Sequence, residues 1–377
     1  MNPAFDYLPM NASRMIPIVA ITFVLVMSFL FSCNKNYPIP DDIIKAQALM
    51  LERPDSALLI LEGMKGVEHL PAKLKATYNL CLIEARDKNY IVHTSDSLIN
   101  TVVAFFEKED DPLMKAKAYY YQGRVNKDLQ NSKKAAFAFK KAETFVNETS
   151  DYRLKALICT QMGGVFHYQR LFNDAIVWHE KAKDALLLAG DSVSISYILR
   201  DIASAYSNLK EYDKSLSLFN DAYKVADANN QLSVASNILY DIALMYIQRQ
   251  MQDSVIVYMK KALLKDSALV NFEGTCLTLA DEYRKINKLD SARYYLSRCA
   301  NSNSLFTKAG YYYFLANIEE DAGNYKKSLD AYKISYNYQD SIRDKHSAEA
   351  LAEVVAKYDN EKLENEKNVI LLEKSRA

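Results

Sequence analysis

Histidine and cysteine, the side chains that most often bind metals or act as catalytic groups, are few in this sequence and widely spaced. No two histidines are three or four residues apart, the spacing that would place two imidazoles on one helix face as metal ligands. The sequence also contains no phosphate-binding glycine loop and no Gly-x-Ser-x-Gly sequence. We therefore predict no catalytic residue, no metal site and no cofactor, and expect a protein that is not an enzyme. The five histidines are His69, His93, His167, His179 and His346.

The five cysteines form no Cys-x-x-Cys pair. Cys33 stands alone near the N-terminus, whereas Cys81, Cys159, Cys276 and Cys299 fall inside sequence patterns typical of helices. Thiols at such positions usually behave as small buried apolar side chains. We predict that role for these four cysteines. His179 also falls at a packing position of a predicted helix, and we predict that it lies in the core.

The composition favours a helical chain that does not bind nucleic acid. Lys and Arg together number 47, as do Asp and Glu, so the formal net charge is zero. Nucleic-acid-binding domains usually carry a basic excess, and this chain has none. Only 9 Gly and 8 Pro occur among 377 residues, against 27 Tyr. Because Gly and Pro are the main residues of turns, their scarcity predicts helices joined by short connections.

An uncharged, apolar segment precedes Cys33. Residues 15–32 read MIPIVAITFVLVMSFLFS, which is 18 residues. This length is near the lower limit for a membrane-spanning helix and slightly long for the core of a secretory signal. An uncleaved span, an ordinary cleaved signal and a lipoprotein signal are the three alternatives, and each places the rest of the chain outside the cytoplasm or at a membrane.

The sequence Leu30-Phe31-Ser32-Cys33 resembles the lipobox of bacterial lipoproteins. The resemblance implies cleavage before Cys33 and attachment of diacylglycerol to its thiol, and several acyl chains anchor a protein firmly. It also implies a lipoprotein of the bacterial cell envelope, with the remainder of the chain in the periplasm or outside the cell. The alternative is an inner-membrane protein whose remainder is periplasmic.

A pattern of small residues repeats along most of the chain. A small residue recurs at intervals of 40 at Gly123, Gly163, Ala203 and Ala243, and then at Ala280 and Ala316. We call this the small position of each repeat. Further residues recur 12, 16 and 19 positions after it. They are Ala135, Phe139 and Ala142; Ala175, His179 and Ala182; Ser215, Phe219 and Ala222; Val255, Met259 and Ala262; Ala292, Leu296 and Cys299; and Ser328, Tyr332 and Ser335.

The same offsets extend toward the N-terminus. Ala85 is followed at the same offsets by Ser97, Thr101 and Ala104. A weaker match, in a repeat whose first helix is predicted to start near Asp41, contains Ala57, Leu61 and Met64. These offsets resemble those of the tetratricopeptide repeat family, in which small residues lie where paired helices pack closely. The resemblance implies an all-α, right-handed superhelical solenoid of about eight antiparallel helix pairs. The expected divisions are a signal peptide at 1–32, a lipidated tether at 33–40, the repeats at 41–340 and a final helix at 341–377.

In the tetratricopeptide repeat family, partners bind in a concave groove formed by the first helix of each pair. The resemblance therefore implies a protein or peptide partner. Groove side chains in this family lie three residues before, one after, and four to five after the small position. Carried onto this sequence, they are Tyr120, Arg124, Lys127, His167, Tyr168, Arg200, Asn208, Tyr240, Gln248, Arg284 and Lys285.

The segment 341–377 contains neither Gly nor Pro, which predicts one long helix. Leu351, Val354, Val355 and Tyr358 form an apolar stripe that would cap the last repeat, and charged residues dominate beyond it. The chain also resembles the extracytoplasmic part of bacterial regulators that join a secretory N-terminus, tetratricopeptide repeats and a charged helix to an output domain. A sensor region of this kind, with its membrane span and output domain missing from this chain, is thus the alternative to an anchored scaffold.

Overall fold

A computed structural model describes residues 38–266 and 271–345, together with Val355 and Glu366. Throughout these residues the secondary structure is helical and no strand occurs. The proposed signal peptide, Cys33 and most of the segment 346–377 lie outside the described residues. A short 3₁₀ turn, Val67–His69, accompanies the α-helices.

The helices alternate with short connections and form eight consecutive pairs within the described ranges. The last helix covers residues 325–345 and is called α16. The others are α1 Asp41–Leu49, α2 Pro54–Gly63, α3 Ala72–Lys88, α4 Ser97–Phe106, α5 Pro112–Asp128, α6 Ser132–Val146, α7 Tyr152–Tyr168, α8 Phe172–Leu188, α9 Ile195–Asn208, α10 Tyr212–Ala228, α11 Leu232–Gln248, α12 Gln252–Lys265, α13 Phe272–Lys285, α14 Leu289–Ser297 and α15 Leu305–Asp321.

The chain divides into two compact units, with the division between Ala85 and Arg86. In the N-terminal unit, Ala57 and Leu61 of α2 are fully buried, and Met64 packs against the same cluster. The Tyr78 hydroxyl donates a hydrogen bond of 3.0 Å to the carbonyl oxygen of Leu61. The first helix pair of this unit, α1 and α2, begins at Asp41.

The second unit shows why the repeat requires small residues. A Cβ atom added to Gly123 would lie 2.3 Å from the Phe139 ring, and one added to Gly163 would lie 2.5 Å from the His179 ring. Ala203 is likewise fully buried. In these two pairs the first helix thus approaches the second so closely that an aromatic ring from the second helix lies over its backbone.

In six of the pairs, the same kind of turn joins the first helix to the second. In this turn, the residue seven positions after the small position has a positive φ angle. The amide of the next residue donates to a carbonyl five residues earlier, as Glu211 N does to Tyr206 O at 2.9 Å. This is the hydrogen-bond pattern of a helix that ends in a left-handed residue. The six residues and their φ angles are Gln130 (56°), Arg170 (61°), Lys210 (63°), Gln250 (56°), Asn287 (56°) and Gly323 (75°).

The predicted offsets of Ser97, Thr101 and Ala104 are wrong. Thr101 and Ala104 are exposed, while α4 buries Ile99, Val102 and Phe106 instead. The cause is the connection between α3 and α4, which spans residues 89–96 and replaces the short turn of the other pairs. The extra residues shift the buried face of α4.

The predicted division at residue 340 does not coincide with a helix end. Residues 325–345 are continuously helical, so the second helix of the last pair runs through this point. The predicted capping stripe lies outside the described residues except for Val355, which is helical and 51% exposed.

Candidate binding face

We call the predicted groove residues the first-helix face, because all of them lie on the first helices of their pairs, α5, α7, α9, α11 and α13. The structure exposes five of them, and these lie near the C-terminal ends of their helices: Lys127, Tyr168, Asn208, Gln248 and Lys285. Five others are half-buried, namely Arg124, His167, Arg200, Tyr240 and Arg284.

Tyr120, the remaining residue of the predicted set, is unsuited to a groove. Its side chain is only 5% exposed, and its ring centroid lies 6.0 Å from that of Phe139 and 4.9 Å from that of Tyr121. The ring therefore belongs to the packing between α5 and α6. The family offset does not separate a tyrosine that faces solvent from one that turns into the core.

The three arginines of the first-helix face form ion pairs between successive repeats. An Arg124 nitrogen lies 2.8 Å from Asp87 Oδ1, at the end of α3. Arg200 of α9 pairs with Asp241 of α11. Arg284 Nη1 of α13 lies 2.9 Å from Asp321 Oδ2 of α15. These guanidinium groups therefore fix adjacent first helices relative to one another.

Several exposed polar residues of this face also have partners within the chain. Lys127 Nζ donates to the side-chain oxygen of Gln161 at 2.8 Å, which links α5 to α7. Lys285 Nζ lies 2.8 Å from Asp281 Oδ2. Asn208 Nδ2 donates to the carbonyl oxygen of Ser204 at 2.9 Å. These contacts use hydrogen-bond donors of the first-helix face, but the three side chains remain exposed to solvent.

Two half-buried carboxylates surround Arg200. Asp201 follows it in α9, and Asp241 occupies the equivalent position in α11. Burial raises the pKa of Asp201 to about 6, and the nearby charge of Asp241 adds to this effect while that of Arg200 opposes it. Burial also raises the pKa of Asp241, against the effect of its bond to Arg200. Two acids thus lie beside one guanidinium, which leaves an excess negative charge when both are ionised.

The histidines among the described residues occupy different environments. His179 is 2% exposed, which confirms its predicted core position, and burial lowers its pKa to about 4. His93 Nδ1 lies 2.7 Å from Asp128 Oδ2. Within residues 38–266 and 271–345, no group of three or more His, Cys, Asp and Glu side chains is arranged to hold a metal ion.

Sequence reasoning missed the acidic residues that complete this face. Asp87, Asp201 and Asp241 lie outside the offsets that the family uses. The offsets would have included Asp321 and the 44%-exposed Tyr313 if they had been carried into the last repeat. A search for acids facing each arginine one repeat away would have found Asp87 and Asp241.

Among the helices within residues 38–345 that the structure describes, none combines the length and apolar character of a membrane span. The predicted anchor, Cys33, lies outside the described residues.

Comparison with known proteins relates the chain to helical-repeat structures. No protein-family model matches it, and no curated protein matches it. The apo form of RapI is 13% identical, with a TM-score of 0.61 over 81% of this chain and 98% of RapI. NprR in complex with its cognate peptide NprX is 15% identical, with a TM-score of 0.53 over 78% of this chain and 88% of NprR.

A third structure names the repeat type. It is a signal transduction ATPase with numerous domains from Pyrococcus horikoshii, which has a tetratricopeptide repeat sensor. It is 17% identical, with a TM-score of 0.58 over 89% of this chain and 55% of that protein. Together with the eight helix pairs, these likenesses show that the chain has an all-α fold of the tetratricopeptide repeat type.

Proposed function

We propose that this protein is a non-enzymatic scaffold that binds a peptide or protein segment on its first-helix face and is held at the cell envelope through a lipid on Cys33. The observation that carries the proposal is the row of exposed side chains at the ends of successive first helices, with ion-paired arginines fixing those helices beneath it. A surface that is already ordered loses little conformational entropy when a ligand binds.

The residue types of this face suit recognition of an extended segment. Tyr168 is 81% exposed, and a tyrosine offers a large apolar area together with a hydroxyl group. The Tyr240 hydroxyl accepts a hydrogen bond of 2.7 Å from Asn271 Nδ2, which holds its ring at the edge of the face. The excess negative charge around Asp201 and Asp241 favours a partner with a basic side chain nearby.

The comparisons agree with a peptide as partner. NprR, which shares the fold, was solved with its cognate peptide bound. At 15% identity the comparison shows a shared fold alone, so a peptide partner for this chain is part of our proposal.

Selection of peptides and titration of their affinities would test the binding face. Peptides selected from a random library on the immobilised chain are titrated against wild type, Tyr168→Ala and Gln248→Ala. Loss of a central aromatic contact typically costs about 2 kcal/mol, roughly a thirtyfold weaker Kd. We expect a loss of this size for Tyr168→Ala and a smaller one for Gln248→Ala. Tyr120→Ala is avoided because Tyr120 is a core residue.

Lys224→Ala is the matched control. Lys224 is exposed on α10, the second helix of its pair, and its partner Asp221 lies on the same helix. Its replacement should leave the peptide Kd unchanged. If Lys224→Ala weakens binding as much as Tyr168→Ala does, or if neither changes it, the first-helix face is not the binding site.

The anchor is tested separately. Cells that produce the chain are labelled with a radioactive fatty acid, and membranes are separated from soluble protein. We expect label and membrane attachment for wild type and the loss of both for Cys33→Ser. Absence of label on wild type would remove the lipid from the proposal without affecting the binding face.

The second candidate function is that of a sensor region within a longer signalling protein. It is favoured by the likeness to a signal transduction ATPase in which tetratricopeptide repeats form the sensor. Sequencing of the gene beyond codon 377 tests this candidate. An in-frame apolar stretch of about 20 residues would favour the sensor, because that length spans a bilayer.

A further inference from the structure

Two of the buried thiols are neighbours. Cys276 lies in α13 and is fully buried, and Cys299 follows the end of α14 and is 1% exposed. An interaction between their side chains shifts the pKa of both thiols. The two helices belong to one pair and pack directly against each other.

The register of the repeat explains this meeting. Cys276 lies four residues before the small position Ala280, and Cys299 lies 19 residues after it. In the preceding repeat the same two offsets are held by Leu239 and Ala262, which pack together in one cluster. These two positions therefore face each other as a general property of the repeat.

Hydrogen bonds of the last repeat support the same register. Ser335, at the position equivalent to Cys299, donates to the carbonyl oxygen of Ala309 at 2.9 Å. Cys299 Sγ lies 3.5 Å from the carbonyl oxygen of Glu273, which is the equivalent acceptor. The side chain of Cys299 is thus aimed at α13 near Cys276 in the way that the serine is aimed at α15.

We propose that Cys276 and Cys299 are a disulfide site, in which oxidation joins α13 covalently to the end of α14. With glutathione disulfide as the oxidant, the thiolate of one cysteine attacks a glutathione sulfur and releases one glutathione. The second cysteine, as its thiolate, then attacks the protein sulfur of this mixed disulfide and releases the second glutathione. The protein loses two protons and two electrons, and the oxidant is reduced to two glutathione thiols.

The interaction between the two thiols lowers the pKa of Cys276, whereas the same interaction together with burial raises the pKa of Cys299. Cys159 provides a contrast, because burial raises its pKa to about 11 and the residue at the facing position is Ala182.

The experiment is thiol counting on the full chain with peptide mapping. The purified protein is equilibrated with glutathione disulfide, blocked with an alkylating reagent in denaturant, digested without reduction and analysed by mass spectrometry. We expect a peptide that links Cys276 to Cys299 and a loss of two alkylatable thiols per chain compared with reduced protein. Recovery of both cysteines in alkylated form, or trapped singly with glutathione, would overturn the proposal.

Two variants make the result specific. Cys299→Ser should fold normally, since Ser335 holds the equivalent position of the last repeat, and it should abolish the linked peptide. Ala182→Cys places a thiol opposite Cys159 at the same offsets, and we expect it to form a second link, with a further loss of two thiols. If neither this variant nor wild type forms its link, the inferred facing of the two positions is wrong.

Discussion

At the scale of single residues, the charged groups of the first-helix face differ in their effect on stability. Arg124 and Arg284 have carboxylate partners in an adjacent repeat and so contribute to the fold. Asp201 differs, because burial raises its pKa toward neutrality without a hydrogen bond that would offset the cost. A charge that is kept at a cost in stability is typical of a functional site.

Replacing Asp201 by Asn should stabilise the protein at neutral pH. The pKa of Asp201 is raised from 3.8 to about 6, so ionisation destabilises the fold as pH rises through this range. At pH 8 we expect Asp201→Asn to gain on the order of 1 kcal/mol, and below pH 4 the gain should vanish. Urea denaturation at several pH values measures it, and a pH-independent gain would contradict the electrostatic cause.

His179 should give the opposite pH dependence. Its pKa is lowered from 6.5 to about 4 by burial and, to a lesser extent, by the nearby His167. The neutral form is the stable one, so stability is complete above about pH 6.5 and is lost as pH falls toward 4, by up to about 3 kcal/mol.

The substitution His179→Phe should remove this acid sensitivity. The equivalent residue of the preceding repeat is Phe139, which packs over Gly123 as His179 packs over Gly163. The difference in free energy of unfolding between wild type and His179→Phe, followed from pH 7 to pH 4, is the measurement. His69→Gln serves as control because His69 is exposed. An acid sensitivity that persists in His179→Phe would show that another group causes it.

At the scale of helices and turns, the repeat offsets were predictable because close packing admits few side chains. The offsets located the small positions in seven helix pairs and failed in α4, where the connection 89–96 is longer. The turns were harder to predict. Five of the six left-handed residues are not glycine, although Gly is the residue that adopts this conformation without strain. At Lys210, for example, nothing in the residue type indicates a positive φ angle.

The adjacent glycines of α7 separate packing from helix propensity. A Cβ on Gly163 would meet the His179 ring, whereas a Cβ on Gly164 would meet nothing within 4 Å. Gly163→Ala should therefore destabilise the protein by about 1 to 3 kcal/mol, as overpacking does. Gly164→Ala should stabilise it by about 1 kcal/mol, the difference in helix propensity. Thermal unfolding distinguishes the two, and effects of the same sign would contradict the packing explanation.

At the scale of the molecule, the fold could be predicted from the sequence but the working surface only in part. Fixed offsets identify which residues lie on first helices. They do not reveal that Tyr120 turns into the core or that Asp241 completes a pair with Arg200, because side-chain orientation depends on the helices packed around each residue. For Tyr120 these are α5 and α6 of one pair, and for Arg200 and Asp241 they are the successive first helices α9 and α11.

Repeats that contact mainly their neighbours should respond locally to a broken contact. Arg200→Met removes the cation between Asp201 and Asp241, which leaves two half-buried acids unpaired between α9 and α11. Hydrogen exchange should then accelerate in the helices from α9 to α12 and remain unchanged in α5 and α6. Restoring neutrality with Asp201→Asn and Asp241→Asn in the same chain should return the exchange rates toward wild type. A uniform acceleration from α5 to α15 would instead show that residues 86–345 unfold as one cooperative unit, with the ion pairs between repeats acting globally rather than between neighbours.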